Sequence, residues 1–151
     1  NDLRLDKYFA ETDEKGFRKN KKAGSNNYLC TFRVGEIYLT AAEAAARLGE
    51  LSQARTRLLE LMRKRYAPEA YEAKSVVVNA MDKEALVQEI LDERARELAF
   101  EGHRWFDLRR STRPRLEKVL DGTRYVLEEN DARYTLAIPK EAIEANPGLL
   151  N

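Results

Sequence analysis

Two stretches of helical hydrophobic spacing lie almost end to end in this chain, and nothing else in it restricts the fold as tightly. In the first, Val34, Ile37, Tyr38, Ala41, Ala45 and Leu48 recur three or four residues apart, which predicts one apolar face on a helix over 34–48. Ala41, Ala42, Ala44, Ala45 and Ala46 favour the helix and let a second one approach closely. In the second stretch, about 51–66, Leu51, Ala54, Leu58, Leu61 and Met62 repeat the spacing, and the Arg and Glu residues between them cover the solvent side. Gly49 stands where a left-handed C-terminal cap is wanted. A link this short forces the two helices into an antiparallel hairpin, and Pro68 is expected to end it.

The rest of the chain is arranged around that pair. Residues 1–33 read as an irregular lead-in, with turns at Gly16 and at Gly24-Ser25-Asn26-Asn27 and extended candidates at Leu3–Phe9 and Tyr28–Phe32. Residues 67–81 read as a connection in which Val76-Val77-Val78 is a short extended stretch or a plug against the hairpin. Asp82 is placed to cap a third helix over about 83–101, with Glu84 near the positive end of its dipole. A shorter helix or turn follows at 103–111, after Gly102. The period then changes. Tyr125 and Leu127 alternate, as do Tyr134, Leu136 and Ile138, around Asn130-Asp131, which predicts a β-hairpin over 123–138. Pro139 opens a short helix at 140–145. The fold class is therefore mainly α, with a small β-hairpin near the C-terminus.

Composition excludes several functions. Hydrophobic residues make up 43% and charged residues 35% of the 151, which is too apolar for disorder. The 27 basic residues nearly cancel the 26 acidic ones, so no whole-molecule field favours nucleic acid. Cys30 and His103 are the only residues of their kinds, which rules out an intrachain disulfide and any Cys/His metal site. No cofactor is implied. No apolar run approaches the roughly 18 residues of a membrane span. The chain opens on Asn1-Asp2-Leu3 without a Met, so it reads as part of a longer or processed protein, with any export or lipidation signal upstream.

The third helix carries an unusual pattern. Its apolar stripe begins with Leu86 and Ile90, and the same spacing then gives Arg94, Glu97, Glu101 and Trp105. Charges aligned with a core face need partners. The helix itself offers them at i+3: Arg94 with Glu97, Glu101 with Arg104, Asp107 with Arg110. A structural ion-pair network that fixes how the helix docks is the preferred reading. The sharper one makes Glu97 and Glu101 a glycosidase-like carboxylate pair. An arginine within a turn of each would hold it ionised and make it a poor general acid, so no catalytic residue is assigned.

The run Glu93-Arg94-Ala95-Arg96-Glu97-Leu98-Ala99-Phe100-Glu101-Gly102-His103-Arg104-Trp105-Phe106-Asp107-Leu108-Arg109-Arg110 resembles the signature of the SusD/RagB family, roughly ERxxELxxEGxRxxDLxR, and meets its fixed positions. Arg33-Val34-Gly35-Glu36-Ile37-Tyr38-Leu39-Thr40-Ala41-Ala42-Glu43-Ala44 is similar to a second family motif, RxxExYLxxAEA. Leu136-Ala137-Ile138-Pro139-Lys140-Glu141-Ala142-Ile143, followed by Asn146-Pro147, resembles the closing motif, with Ala137 where the family often has Pro. The three motifs, in order, cover about 33–151. The Leu48-Gly49 turn with Leu51 and Ala54 is also similar to one tetratricopeptide (TPR) unit, without an array.

The resemblance implies the C-terminal part of a surface lipoprotein of Bacteroidetes-type bacteria. Such a protein captures glycans or other nutrients over a SusC-like TonB-dependent transporter in the outer membrane, has no enzymatic activity, and touches the membrane only through a lipid anchor outside this segment. The 34–66 pair would be one TPR-like scaffold hairpin and 82–111 the signature helix. A TPR-like scaffold that binds a peptide or protein is the alternative. Ligand contacts in the family come largely from insertions and from parts preceding this segment, so the ligand-binding residues stay unknown and weak or no glycan binding is expected of this part alone. Trp105 is read as core, and Tyr71, Tyr125 and Tyr134 as better surface candidates. His103 is read as a hydrogen-bonded group at a helix junction, and the basic run Arg109–Arg115 as a solvated, ion-paired segment ahead of a phosphate or acidic-glycan site.

Overall fold

The structure, a computed structural model, describes residues 1–22, 33–146 and 148. The extended candidate Tyr28–Phe32, the Gly24–Asn27 turn and Cys30 lie outside them. The chain is mainly α-helical and divides into two compact units, Asn1–Ala99 and Phe100–Asn151.

The first unit opens with helix α1 (Arg4–Tyr8), where an extended stretch was expected, and continues into strands β1 (Phe9–Thr12) and β2 (Arg18–Asn20). These strands pair antiparallel around a turn at Gly16, whose φ of 81° suits glycine. Helices α2 (Val34–Leu48) and α3 (Leu51–Met62) follow, with Gly49 between them in the left-handed conformation expected of a cap. Helix α5 (Lys83–Glu97) begins on Asp82, whose carboxylate accepts a 2.9 Å hydrogen bond from the Ala85 amide.

Three expectations for this unit need correcting. Of the predicted α2 stripe, Ala45 and Tyr38 meet the core, but most of the rest is turned away. Val34, Ile37 and Leu48 are 64–78% exposed, whereas Gly35, Leu39, Ala42, Ala45 and Ala46 are buried. A run apolar nearly all round has no unique face, and the face with the smallest side chains is the one that allows the closest helix approach. Residues 68–80 are a helix, α4 (Pro68–Ala80), where a connection was expected. Pro68 is the first residue of that helix, its fixed φ and missing N–H costing nothing there. Val78 alone of the three valines points inward, so no periodic stripe betrayed the helix. Helix α5 stops at Glu97, short of 101. The buried cluster draws Leu39, Ala42 and Ala46 from α2, Ala54, Leu58 and Met62 from α3, Val78 from α4, and Leu86 and Ile90 from α5.

The second unit begins with a turn in which Phe100 and Gly102 are left-handed, at φ 66° and 82°, then helix α6 (His103–Arg110). Its β-hairpin pairs β3 (Leu116–Leu120) with β4 (Thr123–Leu127) in register from Leu116↔Leu127 to Leu120↔Thr123. The hairpin therefore spans 116–127 rather than 123–138. Its loop is Asp121-Gly122, both at positive φ, 49° and 75°, as a two-residue type I′ turn requires. Asn130-Asp131 is also a turn, but it leads into a 3₁₀ turn, Ala132–Tyr134, capped by the Asp131 carboxylate on the Arg133 amide. Helix α7 (Lys140–Ala145) follows Pro139.

Candidate functional site

The most densely built polar region is a buried charge network around the first half of the ERxxEL motif. Glu93 and Glu97 lie one turn apart, on the same side of α5 that buries Leu86 and Ile90 farther back. The first residues of the chain reach them by pairing with the stretch after α3: the Leu3 amide donates to the Arg65 carbonyl at 2.8 Å and the Ala67 amide to the Asn1 carbonyl at 2.9 Å. This delivers Arg4, only 4% exposed, between the two carboxylates.

Arg4 is the hub. Its Nη1 lies 2.8 Å from Glu93 Oε1, in ion-pair contact without hydrogen-bond geometry, and donates to Glu97 Oε2 at 3.2 Å. Its Nη2 donates to Asp2 Oδ2 at 2.8 Å and to the Tyr66 hydroxyl at 2.9 Å. Tyr66 in turn donates to Glu93 Oε2 at 2.9 Å. Arg65 grips Glu97 with two parallel bonds, Nε to Oε2 at 2.8 Å and Nη2 to Oε1 at 2.7 Å, the strongest arrangement available to this pair. Arg96 bridges Glu93 and Glu89 at 2.9 and 2.6 Å. The neighbouring Arg94 turns to α2, donating to Glu36 at 2.7 Å and Thr40 at 3.3 Å. Lys22 donates to the carbonyls of Glu97, at 2.5 Å, and of Ala99 at 3.1 Å, holding the end of α5.

The pairing therefore differs from the expected i+3 pattern. Glu97 is held by Arg65 and Arg4, and Arg94 by Glu36, so these ties run between elements. Asp107–Arg110, at 2.8 Å, follows the predicted spacing. Asp2, Arg4, Arg65 and Tyr66 were not singled out from the sequence, because no period links them to the motif.

The electrostatics reflect this geometry. Burial alone would raise the Glu97 carboxyl, but hydrogen bonds and charge from Arg65 and Arg4 outweigh it and hold Glu97 below the ordinary value. Asp2 is likewise held down, by Arg4 against its burial. Burial and the nearby Glu93 push the Tyr66 hydroxyl well up. A carboxylate clamped in this way stays ionised and has no proton to give at neutral pH, which suits a structural tie and not general acid catalysis.

The other candidate residues fall into place around it. Trp105 stacks on Tyr134 with ring centroids 5.2 Å apart and planes 14° apart. Tyr134 is fully buried and its hydroxyl donates to the Pro114 carbonyl, so it is not the surface residue expected. Tyr71 is half-buried against the core of the first unit. Tyr125 is 57% exposed, on the β3–β4 hairpin beside an open groove of about 420 Å³. His103 is the first residue of α6. In the basic run, Arg113 donates to the Arg109 carbonyl at 2.9 Å, and Arg115 contacts Glu117 at 2.9 Å and Glu128 at 3.2 Å. Among the described residues no group of His, Cys, Asp and Glu is arranged to hold a metal ion, and no helix is long and apolar enough to cross a membrane.

No curated protein matches the chain at significant similarity. The model of the SusD family matches residues 3–151, from the stretch that delivers Arg4 through the whole α5–α6 motif to the end of the chain. Proteins of this family generally bind glycans or other nutrients in outer-membrane uptake and are generally not enzymes. They generally work with SusC-like transporters as outer-membrane surface lipoproteins. A match over nearly the full length, on a mainly α chain, shows that this chain belongs to the SusD family.

Proposed function

We propose that this chain is the C-terminal part of a cell-surface protein that captures a glycan or another nutrient and passes it to a SusC-like TonB-dependent transporter in the outer membrane. A lipid anchor outside the chain holds the protein to the membrane. The observation that carries the reading is the family match over residues 3–151. The clamped state of Glu97 supports a binding role over a catalytic one, because the ERxxEL carboxylates are committed to Arg4, Arg65 and Arg96. In this role the network is scaffold, and the principal ligand contacts lie in the preceding part of the protein.

The test is calorimetry of the full-length protein and of this chain against one panel of neutral and acidic oligosaccharides, with affinity capture from solubilised outer membranes. The expected result is binding by the full-length protein, weak or no binding by this chain, and recovery of a TonB-dependent transporter. Hydrolysis of any panel member by this chain, or full-length protein that binds no member and recovers no transporter, would overturn the reading.

A further inference from the structure

Several open grooves contain both charge and apolar wall. The one beside the network, about 430 Å³, is lined by Asp2, Arg4, Leu5, Tyr8 and Arg96, whose charged members are committed to one another and to Glu93 and Glu97. The groove on the β3–β4 hairpin is different. Lys118 and Tyr125 are directly opposite in the ladder, so their side chains emerge side by side on the same face. Leu116 and Leu127, the next pair on that face, give the groove an apolar floor. Three acids near the hairpin are already paired. Glu117 also borders the groove and is paired with Arg124 at 2.6 Å and Arg115 at 2.9 Å, Glu128 contacts Arg115, and Asp131 grips Arg133 at 2.6 Å. Lys118 has no hydrogen bond or ion pair among the described residues. Arg133, at the groove edge, is fixed by Asp131 and by the Val126 carbonyl at 2.9 Å, and its Nη1 is left unengaged.

An exposed aromatic ring, an apolar floor and an unmatched cation fit a small amphipathic anion. We propose that this face is a weak subsite for an acidic sugar, whose ring lies against Tyr125 and whose carboxylate is held by Lys118, with Arg133 beside it. The inference rests on the nutrient-binding reading and adds to it a chemical class of ligand. A pyranose offers the Tyr ring a flat C–H face, and its carboxylate supplies a counter-charge for Lys118. A solvent-exposed ion pair and one stacked ring give modest affinity, in keeping with weak binding by this part alone.

The experiment titrates the ¹⁵N-labelled chain with trigalacturonate, with maltotriose, and with a tri-glutamate peptide. Trigalacturonate is expected to shift β3 and β4 resonances, and more strongly at low salt. Tyr125→Ala is expected to weaken it about tenfold and Lys118→Gln about threefold, with Lys118→Arg restoring most of the loss. Maltotriose binding, where present, is indifferent to Lys118→Gln. Unchanged affinity in Tyr125→Ala and Lys118→Gln overturns the subsite. If sugars then still bind elsewhere on the chain or on the full-length protein, the nutrient-binding reading survives it. Equal shifts from the peptide overturn the assignment to a sugar. No response to any of the three ligands overturns the subsite, and the full-length panel then decides the broader reading separately.

Discussion

Gly35 leaves no room for a side chain beside Glu97. A Cβ added at Gly35 would lie 2.6 Å from Glu97 Oε1, and Glu97 is fixed by two arginines and cannot step aside. Gly35→Ala is therefore expected to destabilise the chain by about 1–3 kcal/mol in urea unfolding, through overpacking alone. Glu97→Ala leaves Arg4 and Arg65 without their shared carboxylate and is expected to cost about 3–5 kcal/mol. A loss under about 1 kcal/mol in both would mean that the network is not the tie described. The same carboxylates set the acid response. Asp2 and Glu97 titrate below their ordinary values of 3.8 and 4.5, so the native state binds fewer protons than the unfolded chain as pH falls through that range. Their contribution is whole above those values and drains away as pH drops through the lower native ones. The wild-type urea midpoint should fall steeply below about pH 4.5, and that of Glu97→Gln should fall less. Parallel pH profiles for the two proteins would contradict it.

Each short element is set by a small number of capping and turn residues, and those set the size of the effects expected there. Asp82→Ala removes the one side-chain cap on α5 and is expected to cost about 1 kcal/mol, read by thermal melting. Gly122→Val puts a branched side chain at φ 75° and is expected to cost about 1–2 kcal/mol and to abolish the cross-strand contacts of Lys118 with Tyr125 in NMR. Retained contacts would mean that the Asp121-Gly122 turn does not set the register. These elements also show what could be read in the sequence. Helices α2, α3 and α5 announced themselves because period, cap and breaker agreed: Asp82 in front of α5, Gly49 behind α2. Helix α4 did not, because Pro68 can end one helix or begin another, and Val78 is a lone inward residue. The β-hairpin was displaced because the alternation around Tyr134 pointed to Asn130-Asp131, while Asp121-Gly122, the stronger hairpin dipeptide, was not singled out. Of the charges on α5, Arg94 and Glu97 were visible on a core stripe, and Glu93 only as a member of the motif. Arg4, Arg65 and Tyr66 were not, since chain pairing between residues 1–3 and 65–67 brings them in, and no local rule encodes that.

At the scale of the molecule, membership of the SusD family rests on the family match over residues 3–151, which includes the ERxxELxxEGxRxxDLxR motif. The two compact units share that motif, its ERxxEL half in one and its EGxRxxDLxR half in the other. A Glu97→Gln, Glu101→Gln double variant should lose stability and, against a panel of glycosidase substrates, have no turnover to lose. Any hydrolysis abolished in that variant would reverse the assignment to a binding protein. The network also carries a kinetic consequence. Arg4 meets Glu97 across 93 residues of chain, while the α2–α3 pair closes over a short link. Contacts between such distant residues close late, so the transition state for folding is expected to contain the α2–α3 pair without Arg4 in place. Arg4→Ala should then accelerate unfolding and leave the refolding rate nearly unchanged, moving only one limb of the chevron. The ion-pair hub would act as a latch: it governs how long the native state lasts, and has little effect on how quickly it is reached.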